Sequence, residues 1–498
     1  MLPYQTLIII DKAGAMPIYQ QVANRLVSLI QEGRIQPGAF LPSTRALAEM
    51  LQLHRKTVVA AYEELLRQDW VEAIPRKGVL VSKSLPGIKP RSFRPGGQVG
   101  GYSGGTGFSF NFVAPQPGIV IPGNKQRLVF NDGFPDVREA PLDLLLRECR
   151  RLSRGKAYAK KLVYGGAAGA DHLRKSLSSH LSESRCLPIG PENLMVTRGA
   201  QMSIYLAAAM LIRPGDKVIV GMTNYRYADL CFEQLGATLI RVPVDECGID
   251  VQAVSDICKK TYVRMLYVVP HHHHPTTVTL SAERRMKLLE LIRSRRLAVI
   301  EDDYDYDFHY ASGPILPLAS ADHGGNVLYV GSLTKSLALS IRMGFLVAPA
   351  EFIEGAARLR RLMDLRGDNL IEEALAELLD NGDIARHLKK ANKLFHERRD
   401  ILCDLLESQM WEWVQFKKPD GGMAVWTVFP SAFSLTGLAS RAAAEGLALS
   451  DGSAYCSNAP AANGMRLGFA SLNGTELKEA VRILRRAALG APVVPSAR

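Results

Sequence analysis

Two stretches in the second half of the chain decide the fold: residues 297–304 read Leu-Ala-Val-Ile-Glu-Asp-Asp-Tyr, and residues 327–335 read Val-Leu-Tyr-Val-Gly-Ser-Leu-Thr-Lys. Each opens with four apolar residues, the length and composition of a buried strand. The first then carries three adjacent carboxylates, which are unfavourable at a strand end unless one of them meets a cation. The second places Lys335 in a turn of small residues. A lysine at a strand end is by default simply solvated, but beside these carboxylates it indicates a binding site.

Other apolar runs of strand length surround this pair and alternate with helical stretches. Such alternation predicts an α/β fold with a mostly parallel sheet covered by helices. The sequence shows no internal repeat. The predicted strands are residues 194–197, 217–220, 238–242, 265–269, 297–301 and 327–330, and the predicted helices include residues 200–212 and 282–294.

The 498-residue chain is too long for a single hydrophobic core, so several domains are expected. Between them, residues 86–107 are rich in glycine, proline and serine and cannot bury enough surface to fold. We therefore predict a small N-terminal domain at residues 12–83, a flexible linker at 84–108 and a large α/β domain at 109–490.

The N-terminal part has the pattern of an α+β winged helix-turn-helix. A helix with one apolar face covers residues 17–32, a short helix capped by Ser43 and Thr44 follows, and a turn leads to a second helix at 54–66. A two-stranded ribbon with a basic tip comes next. The alternative is a solvated basic face on a small helical domain. This fold presents the start of its second helix to the major groove, and the tip of its ribbon can reach the phosphates or the minor groove. The predicted DNA contacts are Ser43, Thr44, Arg45, Arg55, Lys56, Thr57, Arg76 and Lys77.

The large domain contains the groups that a pyridoxal 5'-phosphate (PLP) site requires. Such a site needs a lysine for the Schiff base and a carboxylate that keeps the pyridine nitrogen protonated. Lys335 and Asp302 fit these roles. Arg342 suits bidentate phosphate binding, and Ser332 and the amides at Gly199-Ala200-Gln201, where a glycine opens a helix, supply further donors.

The ordered motifs resemble known families. Residues 37–48, Pro-Gly-Ala-Phe-Leu-Pro-Ser-Thr-Arg-Ala-Leu-Ala, resemble the start of a GntR-type winged helix, and the PLP motifs resemble a fold type I aminotransferase domain. Together they resemble the MocR/GabR family of transcriptional regulators over residues 14–490. The resemblance implies that Lys335 forms the Schiff base, Asp302 pairs with the ring nitrogen, Tyr304 meets the 3-hydroxyl, Tyr225 stacks on the ring, His272 lies in the cofactor loop, and Ser332, Arg342, Ala200 and Gln201 hold the phosphate.

The cofactor loop departs from the family pattern. It carries four adjacent histidines, residues 271–274, of which His272 keeps its match. Four histidines could suggest a metal site. Since they follow a predicted strand and lie in the loop that the family uses for its cofactor, we predict no metal here. The changes in this loop leave the effector open.

Arg466 falls in the motif where aminotransferases bind a substrate carboxylate; the alternative is a surface or ion-paired arginine. A buried arginine needs an anion, and the nearest preceding acidic residue in the chain, Asp451, is fifteen positions away. A ligand carboxylate is therefore the natural counter-charge, unless an acidic residue distant in sequence serves. We expect an effector with an amine and an acidic group.

The sequence thus predicts a regulator that binds a double-stranded DNA operator, senses a small amino compound and forms a homodimer. The alternative is an active aminotransferase with an accessory DNA-binding domain, and a PLP-free regulator is a third possibility. The net charge of +12 is compatible with a polyanionic partner. Seven scattered cysteines without a C-x-x-C pair and the lack of a long apolar run predict a cytoplasmic protein with no membrane association.

Overall fold

The computed structural model describes residues 2–86, 106, 108–109, 127–155, 165–310, 315–455 and 463–490. The chain forms two compact units, residues 1–110 and 111–498. Most of the predicted linker lies outside the described residues.

In the part of the first unit that the structure describes, there are four helices and one β-ribbon. Its elements are α1 (Tyr4–Leu7), α2 (Ile18–Gln31), α3 (Thr44–Leu51), α4 (Arg55–Arg67), β1 (Val71–Ile74) and β2 (Gly78–Val81). The apolar faces that the sequence predicted are buried, with Leu26 of α2 and Val58 of α4 fully inaccessible. Tyr4 and Ile8 also belong to this core. The folded unit therefore includes residues before position 12, because two apolar side chains there complete the packing.

Local interactions fix the turn between α3 and α4. The Ser43 hydroxyl accepts a hydrogen bond from the amide of Ala46 at 3.2 Å and caps α3, and the His54 side chain caps α4 by accepting from the amide of Lys56 at 3.2 Å. Gln52 ends α3 with a positive φ of 52°. Strands β1 and β2 pair antiparallel from Val71 opposite Val81 to Ile74 opposite Gly78. The predicted winged helix-turn-helix is confirmed.

The second unit is an α/β domain. Its first part contains β3 (Leu128–Phe130), α5 (Leu142–Arg154), α6 (Asp171–Arg185), β4 (Leu194–Thr197), α7 (Ala200–Leu211), β5 (Lys217–Gly221), α8 (Arg226–Gln234), β6 (Thr238–Val242), β7 (Val244–Asp245), β8 (Gly248–Ile249), α9 (Val251–Lys260), β9 (Met265–Val268), α10 (Ala282–Arg295), β10 (Ala298–Asp303) and β11 (Val327–Ser332). Its second part contains β12 (Gly344–Val347), α11 (Ala350–Met363), α12 (Asn369–Asp380), α13 (Asp383–Gln409), β13 (Gln415–Phe416), β14 (Ala424–Val428), α14 (Leu435–Ala444), β15 (Leu447–Leu449), β16 (Gly464–Gly468) and α15 (Gly474–Leu489).

The central sheet has seven strands in the order β4-β12-β11-β10-β9-β5-β6. Strand β12 pairs antiparallel with both of its neighbours, whereas the other pairings are parallel. The predicted mostly parallel sheet is confirmed. Strands such as β4 and β9 are buried on both faces, which explains why the sequence showed them as continuous apolar runs rather than as alternating patterns.

A second, smaller layer follows the central sheet. Strands β13, β14 and β16 form an antiparallel sheet, and β15 pairs with β3. The apolar side of this layer packs with α13, α14 and α15 in a separate core that includes Phe395, Leu438 and Leu484. The sequence did not predict these strands individually. Within the described residues, no helix is long and apolar enough to cross a membrane.

Candidate functional site

A cavity of about 780 Å³ opens where β10 and β11 end. Strands β10 and β11 are parallel neighbours, so the residues at their carboxyl ends meet at one edge of the sheet. The cavity brings together eight residues that the sequence singled out: Ala200, Gln201, Tyr225, Asp302, Tyr304, Ser332, Lys335 and Arg342.

The three carboxylates of β10 are separated by the alternation of the strand. Asp302 lines the cavity, whereas the side chain of Glu301 accepts hydrogen bonds from the amides of Leu318 and Ala319 at 2.8 and 2.9 Å. Burial, with the nearby charge of Asp303, raises the pKa of Glu301 to about 7. The adjacent carboxylates of this run therefore have different partners, which reduces the unfavourable repulsion between them.

Asp303 belongs to a buried polar network behind the cavity. Its carboxylate accepts from the Tyr329 hydroxyl at 2.9 Å and lies 3.2 Å from Nδ1 of His271. Arg185, which is 1% exposed, contacts the same tyrosine hydroxyl and pairs with Asp307 at 3.0 Å. This network fixes the end of β10 from the face opposite to the cavity.

Asp302 has the geometry of a carboxylate prepared for a buried cation. One oxygen, Oδ2, accepts from the Tyr267 hydroxyl at 2.6 Å, and the other, Oδ1, has no hydrogen-bond partner among the described residues. Burial raises the pKa of Asp302 to about 7. A protonated pyridine nitrogen would supply the missing donor to Oδ1 and stabilise the ionised carboxylate. Asp302 therefore fits a PLP ring.

Lys335 follows β11 and lies in the same cavity. Its Nζ is 4.1 Å from the centroid of the Tyr304 ring. Burial lowers the pKa of Lys335 to about 8, even though Asp305, Asp132 and Asp302 oppose this shift. A larger share of the lysine is then in the neutral, nucleophilic form near neutral pH, as bonding to an aldehyde requires.

Two tyrosines flank Lys335 and Asp302. Tyr225 precedes α8 and lies edge-on to His274 at 5.3 Å between ring centroids. The hydroxyl of Tyr304 donates to the main-chain carbonyl of His272 at 2.8 Å. To donate to a cofactor 3-hydroxyl oxygen, Tyr304 would have to exchange that acceptor.

The phosphate-binding end of the cavity is built around Gly199. Its φ of +81° is unfavourable for other residues, and it opens α7, whose first amides belong to Ala200 and Gln201. A Cβ on Gly199 would lie 3.0 Å from a terminal nitrogen of Arg342, so glycine also permits the close approach of that guanidinium. Ser332 completes a set of donors that matches a phosphate group.

The four histidines point to four different partners. His271 contacts the carbonyl of Ile315, and His273 contacts the Thr276 hydroxyl at 2.9 Å. His272 is 2% exposed and bonds to Asp305 at 2.9 Å. Its side chain is therefore buried inside the domain and is not among the residues that line the cavity. His274 does line the cavity. The structure therefore brings His274, and not His272, into the site.

Arg466 is also buried, at 1% exposure, and already has an acidic partner. Its Nε lies 2.9 Å from Oδ1 of Asp132, and its Nη1 donates to the carbonyl of Pro275 at 3.0 Å. The premise that a ligand must supply the counter-charge does not hold, because an acidic residue 334 positions away in the chain supplies it. An acidic group on the effector is no longer required by Arg466.

Sequence reasoning missed Asp132, Tyr267, His274 and Tyr455 in this site. Tyr267 lies on predicted strand 265–269, and the register of β9 with β10 brings it next to Asp302. Asp132 comes directly after β3, which was not predicted. The Tyr455 hydroxyl donates to Asp132 at 3.0 Å across more than 300 residues. Only the run of histidines offered a signal in the sequence.

The predicted DNA contacts cluster on the first unit. Arg55 and Lys56 are exposed at the start of α4, and Nε of Arg55 lies 3.4 Å from the Thr44 hydroxyl. Ser43 and Arg45 are exposed at the start of α3, and Thr57 is half-buried. Arg76 and Lys77 are exposed at the tip of the β1–β2 ribbon. These positions form the two basic sites that a winged helix presents to DNA.

The lowered pKa of Lys335 can be measured in protein freed of its cofactor. We expect acetylation of Lys335, followed by peptide mass spectrometry across a pH series, to show a midpoint near 8. Only the neutral amine reacts, so labelling rises as pH rises through the pKa, and an ordinary lysine titrates at about 10.4. Lys287, which is 62% exposed, is the internal control for the reagent. A midpoint above about 10 for Lys335 would contradict the burial argument.

Comparison with known proteins agrees with this geometry. The profile of aminotransferase class I and II matches residues 135–484. The chain belongs to that family. The profile of the bacterial regulatory proteins of the gntR family matches residues 18–81. The aminotransferase family and its solved relatives imply PLP as the cofactor, which the cavity accommodates.

Relatives that contain both parts cover almost the whole chain. The protein named "Probable rhizopine catabolism regulatory protein MocR" from Rhizobium meliloti is 26% identical over 97% of this chain and 96% of its own length. The HTH-type transcriptional regulator TauR from Rhodobacter capsulatus is 26% identical over 92% of this chain and 94% of its own. The architecture is that of a MocR-type regulator.

Two solved aminotransferase structures each match about three quarters of this chain. The α-aminoadipate aminotransferase LysN from Thermus thermophilus superposes with a TM-score of 0.68 at 27% identity, and the match covers 73% of this chain and 92% of LysN. That structure holds N-(5'-phosphopyridoxyl)-L-leucine. An archaeal alanine:glyoxylate aminotransferase gives a TM-score of 0.69 at 28% identity over 74% and 91% of the two chains.

Proposed function

We propose that this protein is a transcriptional regulator whose winged helix binds an operator and whose aminotransferase-like domain senses a small amine through PLP. The observation that carries the proposal is the presence, on one chain, of a gntR-type domain with exposed basic residues on α4 and the ribbon and of an aminotransferase-like domain whose cavity contains Lys335, Asp302 and Arg342. Relatives with the same two parts over nearly their full length carry the names of regulators.

The residues of the cavity have different roles in binding the cofactor and the effector. PLP, when bound, supplies an electrophilic aldehyde carbon and a ring that withdraws electrons. Lys335 would provide the amine that holds the cofactor, and an effector amine would compete with it. Asp302 would keep a proton at the ring nitrogen, while Arg342 and the first amides of α7 would hold the phosphate in place. The effector is thus recognised first by its amine.

We further propose that the protein is a homodimer that reads two half-sites, as the resemblance to fold type I domains and GntR-type regulators implies. Light scattering after size exclusion should give twice the 54.6 kDa of the chain. Footprinting should then show two protected half-sites separated by a whole number of helical turns. A monomeric mass at micromolar concentration would contradict the dimer and leave the sensing proposal standing.

Selection of random DNA duplexes on the full-length holoprotein tests the regulatory function. We expect enrichment of one sequence, followed by a change in its dissociation constant when the effector is added. Failure to enrich any sequence would overturn the proposal.

An active aminotransferase is the second candidate, since Lys335, Asp302 and Arg342, the residue types that the chemistry needs, all line one cavity. A coupled assay for oxo-acid formation with a panel of amines distinguishes the two. Turnover without sequence-specific DNA binding would favour the enzyme.

A further inference from the structure

One wall of the cavity, next to Tyr225 and Tyr304, contains an internal ion pair. Asp132 lies between Arg466 and His274, with its Oδ1 2.9 Å from Nε of Arg466 and its Oδ2 2.8 Å from Nε2 of His274. The Tyr455 hydroxyl donates to the same carboxylate at 3.0 Å. About a third of the Asp132 side chain, 35%, remains exposed and lines the cavity, whereas Arg466 is buried.

This arrangement reverses the charge that the cavity offers to a ligand. Arg466 is covered by Asp132 and by the carbonyl of Pro275. A ligand carboxylate that approaches Arg466 would therefore meet another carboxylate, and like charges at close range repel. Burial alone would raise the pKa of Asp132, but His274 and Arg466 outweigh it and hold that pKa below its usual range, so the carboxylate stays ionised.

His274 adds to the acceptor character of this wall. Burial lowers the pKa of His274 although Asp132 opposes this shift, so the ring is neutral near pH 7. If its Nε2 carries the proton that Asp132 accepts, its Nδ1 is an acceptor. That atom is buried and has no hydrogen-bond partner among the described residues.

Arg138 is one of several arginines that line the cavity, and it is already engaged. It pairs with Asp136 at 2.8 Å and with Glu476 at 2.8 Å.

Tyr225, Tyr304 and Tyr455 surround His274 with ring centroids 5.3 to 6.3 Å away. A carboxylate with aromatic rings around it is a favourable environment for a cation.

We propose that Asp132 is a specificity-determining residue, which makes the cavity select amines whose second polar group is a cation or a hydrogen-bond donor and disfavour amino acids. This inference rests on the proposed function of the cavity as an amine sensor. It names the effector class as diamines, amino alcohols and similar compounds without an acidic group.

Matched ligand pairs test the proposal on the full-length holoprotein. The pairs are 1,4-diaminobutane with 4-aminobutanoate, 1,3-diaminopropane with 3-aminopropanoate, and ethanolamine with glycine. The readouts are the change in cofactor absorbance and the heat of binding in calorimetry. In the wild type we expect the ligand without a carboxylate to half-saturate at a concentration at least about tenfold lower than its partner, the size of effect that 1.4 kcal/mol gives.

Two variants locate the preference. Asp132→Asn removes the charge but keeps the shape, frees Arg466 for a ligand carboxylate, and is expected to shift the preference at least about tenfold toward the amino acids. Asp245→Asn is the matched control, because it makes the same substitution at a carboxylate that also pairs with an arginine, Arg284, but does not line the cavity, and it should leave the preference unchanged.

The proposal is overturned if the wild type prefers the amino acids, if it responds to none of the three ligands without a carboxylate, or if Asp132→Asn keeps the wild-type preference. The wild-type comparison needs no variant, so it decides the matter even if a substituted protein does not fold. DNA binding is measured separately. A failure to bind DNA would refute the regulatory function without changing the outcome for Asp132.

Discussion

Replacing Lys335 by alanine is expected to abolish the covalent attachment of PLP. Treatment of the wild type with borohydride should fix the cofactor to the chain and add its mass to the peptide that contains residue 335, whereas Lys335→Ala should gain nothing. The reason is that Lys335 is the lysine of the cavity formed at the ends of β10 and β11, with its pKa lowered by burial to about 8. The visible absorbance of the purified protein should change as well.

The matched control for this prediction is Lys287→Ala. Lys287 is 62% exposed on α10 and pairs with Glu283, so its loss should leave both the absorbance and the borohydride adduct as in the wild type. Circular dichroism of each variant reports whether the fold is retained. A folded Lys335→Ala protein with an unchanged visible spectrum and the same adduct would show that another lysine holds the cofactor.

Replacing Arg55 and Lys56 together by alanine is expected to weaken operator binding strongly. Both side chains are exposed at the start of α4, the end of the recognition helix that enters the major groove. The loss of each contact to a phosphate should lower the salt slope of log K by about one unit. The loss of each contact to a base should cost about 1–3 kcal/mol of binding free energy and relax specificity at that position. Fluorescence anisotropy at several salt concentrations separates the two contributions.

Arg67→Ala provides the control on the same helix. Arg67 lies at the other end of α4, is 72% exposed and pairs with Glu64, so its removal changes the charge of the domain without touching the recognition end. It should leave both the affinity and the salt slope close to those of the wild type. If the Arg55→Ala, Lys56→Ala variant binds as tightly as the wild type, α4 is not the recognition helix.

Periodicity was sufficient for α2 to β2 of the first unit and for six of the seven strands of the central sheet, whereas α1 and β12 were not predicted. The apolar face of α2 and the caps of α3 are local features, and the structure places them within one or two residues of the prediction. The strand predicted at 238–242 is β6. By contrast, β13 and β15 have only two and three residues, and they are defined by pairing with distant strands rather than by a local pattern.

Some site residues could likewise be predicted from the sequence, whereas others depend on the tertiary structure. Lys335 and Asp302 could be selected from the sequence because their residue types follow buried strands, and the cavity contains both. That Asp302 rather than Glu301 or Asp303 faces the cavity depends on the direction of side chains along β10 and on Tyr267 of the neighbouring strand. His272 shows the limit of motif matching. It matches the family motif in the sequence, but its side chain bonds to Asp305 and does not line the cavity.

The sequence by itself determined the two domain types and six of the seven strands of the central sheet, and it singled out Lys335, Asp302 and Arg342, because each of these depends on residues close together in the chain. Only the tertiary structure decided the charge of the effector pocket. Arg466 is neutralised by Asp132, which follows β3, and the two meet because β3 and β16 are folded against each other more than 300 residues apart. A counter-charge acts through space, so its position along the chain gives no indication of it.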